Sequence, residues 1–349
     1  MSNIYHKITP RNIDLTKATL FTSSFYLNNR IFDMSDKISN TNDCLYGFYV
    51  LKVKFRERGI DLSTQDINAP LKSQFIIYSE MPKLKNIISH KNSYLLMFES
   101  KIVKPDNWNM KNHKHFKKIF TWDDNLVDGK KYFKINYAHK IPMTLDYDMS
   151  KKEKLCTMVA SHKFKKHPLE LYTERIKAIR WFEQNHPEDF DLYGIGWDRH
   201  NFKNALTRLN RFRFLTKLLR PECPSFKGPA PSREILPKYK FAICYENARN
   251  IPGYITEKIF NCFFAGCVPV YWGAPNVTEY IPKNTFIDKR NFSSYEELYK
   301  YLKNMSDREY MAYLDAIKDF VQSERIYPFT AECFADTLSD EIISGNKNK

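Results

Sequence analysis

Apolar and polar positions change their spacing several times between residues 241 and 273, and these changes predict a βαβ unit. A continuous apolar run from Phe241 to Tyr245 has the length of a buried strand. After a loop that contains a Pro-Gly pair, apolar residues recur on one face of a helix that begins near Thr256. Gly266 is typical of a helix C-terminus, and the apolar run from Val268 to Trp272 predicts the second strand.

The same spacing rules divide the rest of the chain into two series of strands and helices. The polar, proline-containing stretch 140–154 separates them and is the predicted linker. We therefore expect an α/β protein with two units. Before the linker we predict strands over 19–26, 74–78, 93–98, 116–122 and 132–137 and a helix over 45–55; after it we predict strands over 156–161 and 190–193 and helices over 168–184, 293–305 and 306–323.

Polar side chains cluster at the start of the helix in the βαβ unit. Glu246, Asn247, Tyr254, Glu257 and Lys258 follow the carboxyl end of the first strand, which is where open α/β sheets bind ligands. A helix N-terminus carries free N–H groups and a partial positive charge, so it favours phosphate, and Lys258 adds a full charge. On spacing alone, a capped helix with solvated charges explains these residues equally well.

Composition narrows the range of partners without choosing one. With 55 basic and 40 acidic residues the formal charge is +15, which favours nucleotides, nucleic acid or an anionic membrane surface. No run of 18 apolar residues exists, so we expect no membrane-spanning helix. Seven cysteines without a Cys-x-x-Cys pair, and a start without an apolar signal core, lead us to expect reduced thiols in a cytoplasmic protein.

Four runs stand in a fixed order and carry a family resemblance. They are Tyr245-Glu-Asn, Gly253-Tyr-Ile-Thr-Glu-Lys-Ile, Ala265-Gly-Cys-Val-Pro-Val-Tyr-Trp-Gly and Phe286-Ile-Asp-Lys-Arg-Asn-Phe. This order resembles the α-1,3/4-fucosyltransferases of glycosyltransferase family 10, in particular soluble members of the bacterial type. The resemblance is strong over residues 155–300, weaker over 70–140 and slight over the first 60 residues.

The resemblance implies the GT-B architecture, in which two Rossmann-like domains face a central cleft. It implies an acceptor-binding domain over residues 1–145 and a GDP-fucose-binding domain over residues 146–349, with the C-terminal helix packing back on the first domain. The implied reaction is inverting transfer of L-fucose from GDP-fucose to a glycan hydroxyl, O3 of N-acetylglucosamine or glucose, which forms an α-fucoside. No cofactor or essential metal is implied, and any membrane association is expected to be weak, peripheral and at the inner membrane face.

Glu99 is the candidate general base. It follows the apolar run Ser93–Phe98 and begins a loop, so it lies at the carboxyl end of a predicted buried strand. A solvated glutamate at a strand end is the common alternative. The resemblance places Glu99 at the position of the proposed family base, which takes the proton of the acceptor hydroxyl.

Arg175 is the candidate diphosphate ligand on the helix predicted over 168–184. It borders the apolar stripe of that helix, and the alternative is an ordinary helix arginine paired with a nearby glutamate. The resemblance places an arginine of this helix on the diphosphate, with Arg175 as the match in preference to Arg180. A guanidinium fits phosphate oxygens bidentately. The resemblance also implies donor contacts for Asn247, Tyr254, Glu257 and Lys258, with Ser161, Glu246 and Thr256 as additional candidates.

The chain departs from the family pattern at two places. His162 stands where the family usually has asparagine after Ser161, so the contacts of His162 stay open. The loop from Asn247 to Tyr254 is longer than in some bacterial relatives, which leaves the register of Arg249 and Asn250 open as well.

Acidic and histidine clusters raise the question of a metal ion. Asp123, Asp124 and Asp128 would be the candidate ligands, but we predict a solvated turn. The nine histidines show no ligand spacing, and we predict that His113 and His115 lie in an exposed loop.

Two rival functions stay open. One is transfer from a different nucleotide sugar on the same architecture, and the other is a basic nucleic-acid-binding protein. Lysine is spread along the whole chain and no nucleic-acid-binding motif is visible, which argues against the second rival.

Overall fold

Two parallel sheets organise the computed structural model, which describes residues 15–145, 147–200, 202, 204–219 and 223–347. The first sheet contains β1 (Thr16–Phe21), β2 (Ile60–Thr64), β3 (Ile76–Ser79), β4 (Ser93–Met97), β5 (Lys118–Thr121) and β6 (Tyr132–Lys134), and α1 (Tyr46–Glu57) connects its first two strands. Neighbouring strands run parallel in the order β2-β1-β3-β4-β5-β6. The start of the predicted first domain, residues 1–14, lies outside the described residues, as does Asp146.

The second sheet is also parallel. Its strands are β7 (Lys154–Val159), β8 (Phe190–Tyr193), β9 (Phe226–Gly228), β10 (Tyr239–Tyr245), β11 (Val268–Trp272) and β12 (Ile287–Asp288), in the order β12-β11-β10-β7-β8-β9. The helices of this half are α2 (Tyr172–Asn185), α3 (Arg213–Leu218), α4 (Ser232–Ile235), α5 (Glu257–Phe264), α6 (Val277–Tyr280), α7 (Tyr295–Asn304), α8 (Asp307–Gln322) and α9 (Ala331–Lys347).

The last helix, α9, packs on the first sheet rather than on the second. Phe334, Leu338 and Ile342 on α9 are buried in the same apolar core as Leu51 and Phe55 of α1. Because α1 is the only long helix among the described connections of the first sheet, α9 supplies much of its helical cover. The two halves of the molecule are thereby tied together at the end of the chain.

The structure confirms the predicted βαβ unit. The strands β10 and β11 are parallel, with Phe241 paired to Val268 and Tyr245 to Trp272, and α5 connects them. Burial of both strands explains why they are continuous apolar runs, since neither face of the sheet is solvated there.

Element boundaries differ from the predictions in several places. The strand predicted over 19–26 is β1, which ends at Phe21 because residues 24–26 turn as a short 3-10 helix. The strand β2 was not predicted. The helix predicted over 168–184 would have Pro168 in its first turn. In the structure α2 begins at Tyr172, so Pro168 lies before the helix. At α8 the acidic residues Asp307 and Glu309 lie in the first turn, and Ser306 and Glu309 form a capping box.

Candidate active site

Glu246 directly follows β10 and holds the loop that leads to α5. Its side chain is fully buried, and its two carboxylate oxygens accept hydrogen bonds from Thr256, one from the backbone N–H at 2.8 Å and one from the hydroxyl at 2.7 Å. Thr256 is the residue directly before α5, so these bonds fix the point at which the helix starts. The loop is thereby held against the end of β10.

Lys258 lies in the first turn of α5 and is held by the same two residues. Its ammonium is 3.2 Å from Glu246 Oε2 and 2.9 Å from the Thr256 hydroxyl, and a Glu257 carboxylate oxygen lies 3.5 Å away. Burial disfavours the charged form, but the charges of Glu246 and Glu257 outweigh it, so the pKa of Lys258 is raised. The amine is therefore protonated at neutral pH and adds to the positive end of the helix dipole.

Arg175 reaches the same place from α2. Its buried guanidinium donates through Nη2 to the Tyr245 carbonyl at 2.6 Å and to Asn247 Oδ1 at 3.1 Å. Burial lowers the pKa of Arg175, but an arginine pKa starts so high that the group stays charged at neutral pH. Arg180 instead pairs with Glu183 on the same helix.

Asn247 and Tyr254 extend the site along the loop. The Asn247 amide nitrogen lies 3.5 Å from the Tyr254 hydroxyl, and the Asn247 carbonyl accepts the Leu171 N–H at 3.2 Å. The ring of Tyr254 is buried with its centre 4.6 Å from that of Trp122, which follows β5 in the first sheet. Tyr254 therefore joins the loop of the second half to the first half.

Gly253 permits this close approach. Its φ is +77°, and a Cβ at this position would lie 2.3 Å from the Trp122 carbonyl oxygen. A residue with a side chain would be strained in this conformation and would also collide with the first sheet. The glycine thus allows Tyr254 to reach Trp122.

The prediction of a solvated turn over the three aspartates is wrong for two of them. Asp123 is buried, and Asp124 accepts hydrogen bonds from Asn276 Nδ2 at 2.9 Å and from the Tyr280 hydroxyl at 2.6 Å. Both partners of Asp124 belong to the second half of the chain, which covers the turn, and this contact is not visible in local sequence. Asp128 does lie in an exposed turn, where it accepts three backbone N–H bonds.

Glu99 faces these groups in a cleft of about 1020 Å³ that side chains from both sheets line. Burial raises the pKa of Glu99, the positive charges of Lys258 and Lys163 oppose this effect, and Glu257 adds to it. Charged groups of the second half therefore act on the Glu99 carboxylate of the first half. Of the predicted site residues the cleft brings together Glu99, Ser161, Arg175, Asn247, Tyr254, Thr256, Glu257 and Lys258, while Glu246 lies beneath its surface.

The cleft also contains residues that the sequence analysis did not select. Lys163 lines it close to Glu99, and it follows β7 by four residues, so its position after a buried strand was a usable signal. Tyr137 and His139 line it from the connection after β6; Tyr137 was the last residue of the strand predicted over 132–137, and His139 lies directly before the predicted linker 140–154. Their position carries no recognisable sequence signal.

The two departures from the family pattern now have defined contacts. The His162 ring stacks on Trp197 with ring centres 4.4 Å apart, and its Nδ1 lies 3.2 Å from the Gly196 carbonyl. In the longer loop, the Arg249 N–H donates to the Leu169 carbonyl at 2.8 Å, and Asn250 adopts a left-handed backbone with φ +58°. Both departures are accommodated by contacts within the second half.

The described residues contain no group of three or more His, Cys, Asp or Glu side chains arranged to hold a metal ion. The expectation that His113 is exposed is wrong, because a 3-10 turn directs its ring inward between Asn107 and Tyr132. His115 is exposed, as predicted. Among the residues that the structure describes, no helix is both long enough and apolar enough to cross a membrane.

The fold and the cleft first define a class. Two parallel α/β units with charged side chains between them form the GT-B architecture of glycosyltransferases, as predicted. A solved structure described as α1,3-fucosyltransferase with GDP-fucose superposes with a TM-score of 0.53 over 96% of this chain and 93% of that chain, at 15% identity. At this identity the likeness concerns the fold.

Sequence relatives match shorter stretches. The alpha-(1,3)-fucosyltransferase FucT of Helicobacter pylori is 36% identical over 84 residues, which is 24% of this chain and 17% of that protein. The GDP-fucose protein O-fucosyltransferase 3 of Gallus gallus is 41% identical over 95 residues, which is 26% of this chain and 20% of that protein. The aligned stretches therefore span a fifth or less of the length of these relatives.

The family itself is defined by a longer match. The sequence profile of glycosyltransferase family 10 (fucosyltransferase), C-terminal part, matches residues 149–333, which is more than half of the chain. This region contains Arg175, Asn247 and Lys258 together with α2, β10 and α5. The chain belongs to glycosyltransferase family 10, the fucosyltransferase family, as the four ordered runs predicted.

Proposed function

We propose that this protein transfers L-fucose from GDP-fucose to a hydroxyl group of a glycan acceptor, with inversion at the anomeric carbon. The observation that carries the proposal is that Glu99 lines the same cleft as Lys258 and Arg175, although these residues come from different sheets. A single displacement at a sugar carbon needs a base for the attacking hydroxyl and positive charge for the leaving group. Membership of family 10 supports fucose as the transferred sugar.

The diphosphate of the donor would bind Lys258, Arg175 and the first turn of α5. As the bond between fucose C1 and the phosphate oxygen breaks, negative charge grows on the leaving GDP, and these fixed positive groups stabilise the transition state more than the ground state. Glu246 and Thr256 already hold the Lys258 ammonium, so little reorganisation is needed. The ribose and fucose would contact the side chains that line the cleft around this point, Asn247, Tyr254 and Glu257, with Ser161 as a further candidate.

Glu99 would act as the general base. The acceptor oxygen attacks C1 while its proton passes to the Glu99 carboxylate, and the electron pair of the broken C1–O bond leaves with GDP. Attack from the face opposite to GDP converts a β-linked donor into an α-fucoside. Burial raises the pKa of Glu99, which makes its carboxylate a stronger base than an exposed glutamate.

The reaction would proceed without a cofactor or an essential metal. Lys258, Arg175 and the α5 N-terminus supply positive charge at the place where the diphosphate would lie, and this is the role a divalent cation plays in other nucleotide-sugar sites.

The acceptor would be a glycan of the Lewis type, fucosylated at O3 of N-acetylglucosamine or glucose. Support for O3 comes from the alpha-(1,3) activity in the name of the Helicobacter pylori relative, whereas the Gallus gallus relative is named for a protein acceptor. We place the reaction in the cytoplasm, with at most weak peripheral membrane contact. All seven cysteines fall within the described residues and are unpaired, which suits a reducing compartment.

A donor and acceptor screen tests the proposal. Calorimetry with GDP-fucose, GDP-mannose and UDP-sugars should show the tightest binding for GDP-fucose, and a glycan array should then identify acceptors whose products carry an α-anomeric proton signal. Turnover of a different nucleotide sugar would reassign the donor. Duplex binding with a steep salt dependence, without turnover of GDP-fucose, would favour the nucleic-acid-binding alternative.

A further inference from the structure

A second carboxylate, that of Glu80, lies behind Glu99. Glu80 directly follows β3, and its backbone is left-handed with φ +106°. This conformation is strained for a residue with a side chain, so it persists only where surrounding contacts hold it. The contacts of Glu80 are therefore informative.

The Glu80 side chain binds the backbone that carries Glu99. Its Oε1 accepts the N–H groups of Phe98 at 3.0 Å and of Glu99 at 2.9 Å, and its Oε2 accepts the Asn107 side-chain amide. Phe98 and Glu99 are the residues that lead from the end of β4 into the cleft. One carboxylate thus holds both amides of this short segment.

The carbonyl groups of the same segment are bound from the other side. The Phe98 carbonyl accepts hydrogen bonds from Trp122 Nε1 and from the Tyr137 hydroxyl, both at 2.6 Å. The Glu99 carbonyl accepts bonds from the Asn107 amide and from Trp108 Nε1, both at 3.3 Å. The three peptide groups that flank and join Phe98 and Glu99 are therefore fixed in direction.

A buried chain of polar groups supports Glu80 in turn. Asn107 is completely buried, and its Oδ1 accepts the Met81 N–H at 2.8 Å. The Asn107 carbonyl lies 2.7 Å from His113 Nε2, and because a carbonyl only accepts, this nitrogen carries the proton. His113 Nδ1 then accepts the Tyr132 hydroxyl at 3.0 Å. This chain of hydrogen bonds runs from Tyr132 through His113 and Asn107 to Glu80, which binds the backbone N–H of Glu99.

We propose that Glu80 is the positioning residue for Glu99. Its carboxylate fixes the backbone of residues 98–99 and thereby holds the Glu99 side chain toward the cleft. The inference rests on the proposed role of Glu99 as the base and assigns a purpose to the strained backbone of Glu80. It also explains why a buried asparagine and a buried histidine stand behind a strand end.

The two carboxylates also affect each other electrostatically. Burial raises the pKa of Glu80 to about 7, against its hydrogen bonds from Asn107 and the Glu99 N–H, and the charge of Glu99 contributes to the rise. At a pH below about 7 Glu80 is mostly protonated and adds little negative charge beside Glu99. The other groups that act electrostatically on Glu99, or on which Glu99 acts, are Lys258, Glu257, Lys163, Tyr137, Tyr172 and Tyr254.

The first test replaces the Glu80 carboxylate. Glu80→Gln loses one accepting oxygen and the charge, so kcat should fall by roughly 10- to 100-fold, the expected size for a misplaced base, while KM for GDP-fucose stays unchanged.

Two further variants separate positioning from folding. Glu80→Gly removes the carboxylate but relieves the backbone strain. Its melting temperature should therefore change little, while its kcat should fall as in Glu80→Gln. Asp128→Asn is the matched control, because Asp128 also accepts consecutive backbone N–H groups in the first half but lies in an exposed turn. This control should leave kcat unchanged.

A readout without turnover keeps this inference separate from the proposed function. In the ligand-free protein, amide hydrogen exchange of Phe98 and Glu99 should be slow and should accelerate at least about tenfold in Glu80→Gln. In a Glu99→Gln background, Glu80→Gln should cost little further activity. The positioning role of Glu80 is overturned if Glu80→Gln leaves amide exchange unchanged. It is also overturned if Glu80→Gln keeps the wild-type kcat while Glu99→Gln is inactive. A fully active Glu99→Gln would instead overturn the role of Glu99 as the base.

Discussion

Lys258 and Glu246 form an ion pair in the centre of the proposed donor site. Lys258→Ala should weaken GDP binding and fucose transfer together, because a charged hydrogen-bond donor beside the diphosphate is lost. Loss of one such bond costs about 1.5–3 kcal/mol. Calorimetry with GDP measures the effect, and an unchanged GDP affinity in a folded variant would remove Lys258 from the phosphate site.

Lys258→Ala should also lower the stability of the fold, because it leaves the fully buried Glu246 carboxylate without its charge partner. Control variants must therefore separate this effect from the effect on GDP binding. Lys258→Gln keeps a donor for Glu246 and should restore stability more than GDP affinity. Lys154→Ala is the matched control. Lys154 also pairs with a buried carboxylate, that of Asp191 at 3.0 Å, but at the start of β7 and away from the cleft. It should lower stability without affecting GDP binding.

Arg175 and Arg180 lie on one helix and should differ in effect. Arg175→Ala should lower turnover sharply, because the guanidinium lines the cleft and holds Asn247. Arg180→Ala breaks a pair with the buried carboxylate of Glu183, which also accepts hydrogen bonds from Ser225, so it should lower stability but leave turnover of the folded variant close to wild type. Steady-state kinetics of the two folded variants decide the matter, and the reverse ranking would show that the helix register of the donor site is wrong.

The pH dependence of the reaction should follow Glu99. The base must be deprotonated, so activity falls as the pH drops through its pKa, and burial places that pKa above the ordinary glutamate value of about 4.3. Glu99→Gln should reduce transfer by about 10²–10⁴-fold and abolish the acidic limb. GDP-fucose affinity, set mainly by the second half, should change little. Near-normal turnover would mean that another carboxylate serves as the base.

At the scale of elements, the parts with a strong local pattern were predictable. The βαβ unit around α5 is a case, because both strands are buried on two faces and the helix has one apolar face. The strand β2 was missed because Ile60–Thr64 is short and mixes apolar with polar residues directly after a helix. The cleft residues at strand ends were found by the rule that parallel sheets bind ligands at their carboxyl edge.

Contacts between distant elements were not predictable. Glu80 and Phe98 lie 18 positions apart and meet only because β3 and β4 are neighbours in register. Asp124 and Tyr280 lie 156 positions apart, and local sequence therefore favoured a solvated turn. Arg175 was placed at the border of the apolar stripe, whereas it is buried because the end of β10 accepts its hydrogen bonds.

The loop before α5 offers a prediction at this scale. Gly253→Ala should destabilise the protein more than Gly129→Ala. Both glycines have a left-handed backbone, with φ +77° and +68°, so each substitution costs about 1–2 kcal/mol in strain. A Cβ at Gly129 meets open space, whereas at Gly253 it meets the Trp122 carbonyl, which adds about 1–3 kcal/mol. Urea unfolding measures both, and equal losses would mean that the loop does not need the close approach.

At the scale of the whole molecule, the proposed donor site and the candidate base are brought together by contacts between the halves. Tyr254 packs on Trp122, Asp124 binds Asn276 and Tyr280, and α9 crosses to the first sheet. Trp122 also binds the carbonyl of Phe98, beside Glu99. The loop before α5 and the backbone beside Glu99 therefore share one aromatic contact, Trp122, so a change on either side can be transmitted to the other.

The balance of charge across the cleft leads to the last prediction, that transfer continues after exhaustive chelation. Lys258 and Arg175 provide fixed positive charge where the donor diphosphate would lie, and the described residues contain no cluster that could hold a metal ion. Of the acidic turn, Asp124 is occupied by Asn276 and Tyr280, and Asp128 by backbone N–H groups. Fucose transfer measured in EDTA should therefore match the untreated rate. Complete loss of activity that Mn²⁺ or Mg²⁺ restores would contradict the metal-free reaction and would require these aspartates to leave their present partners.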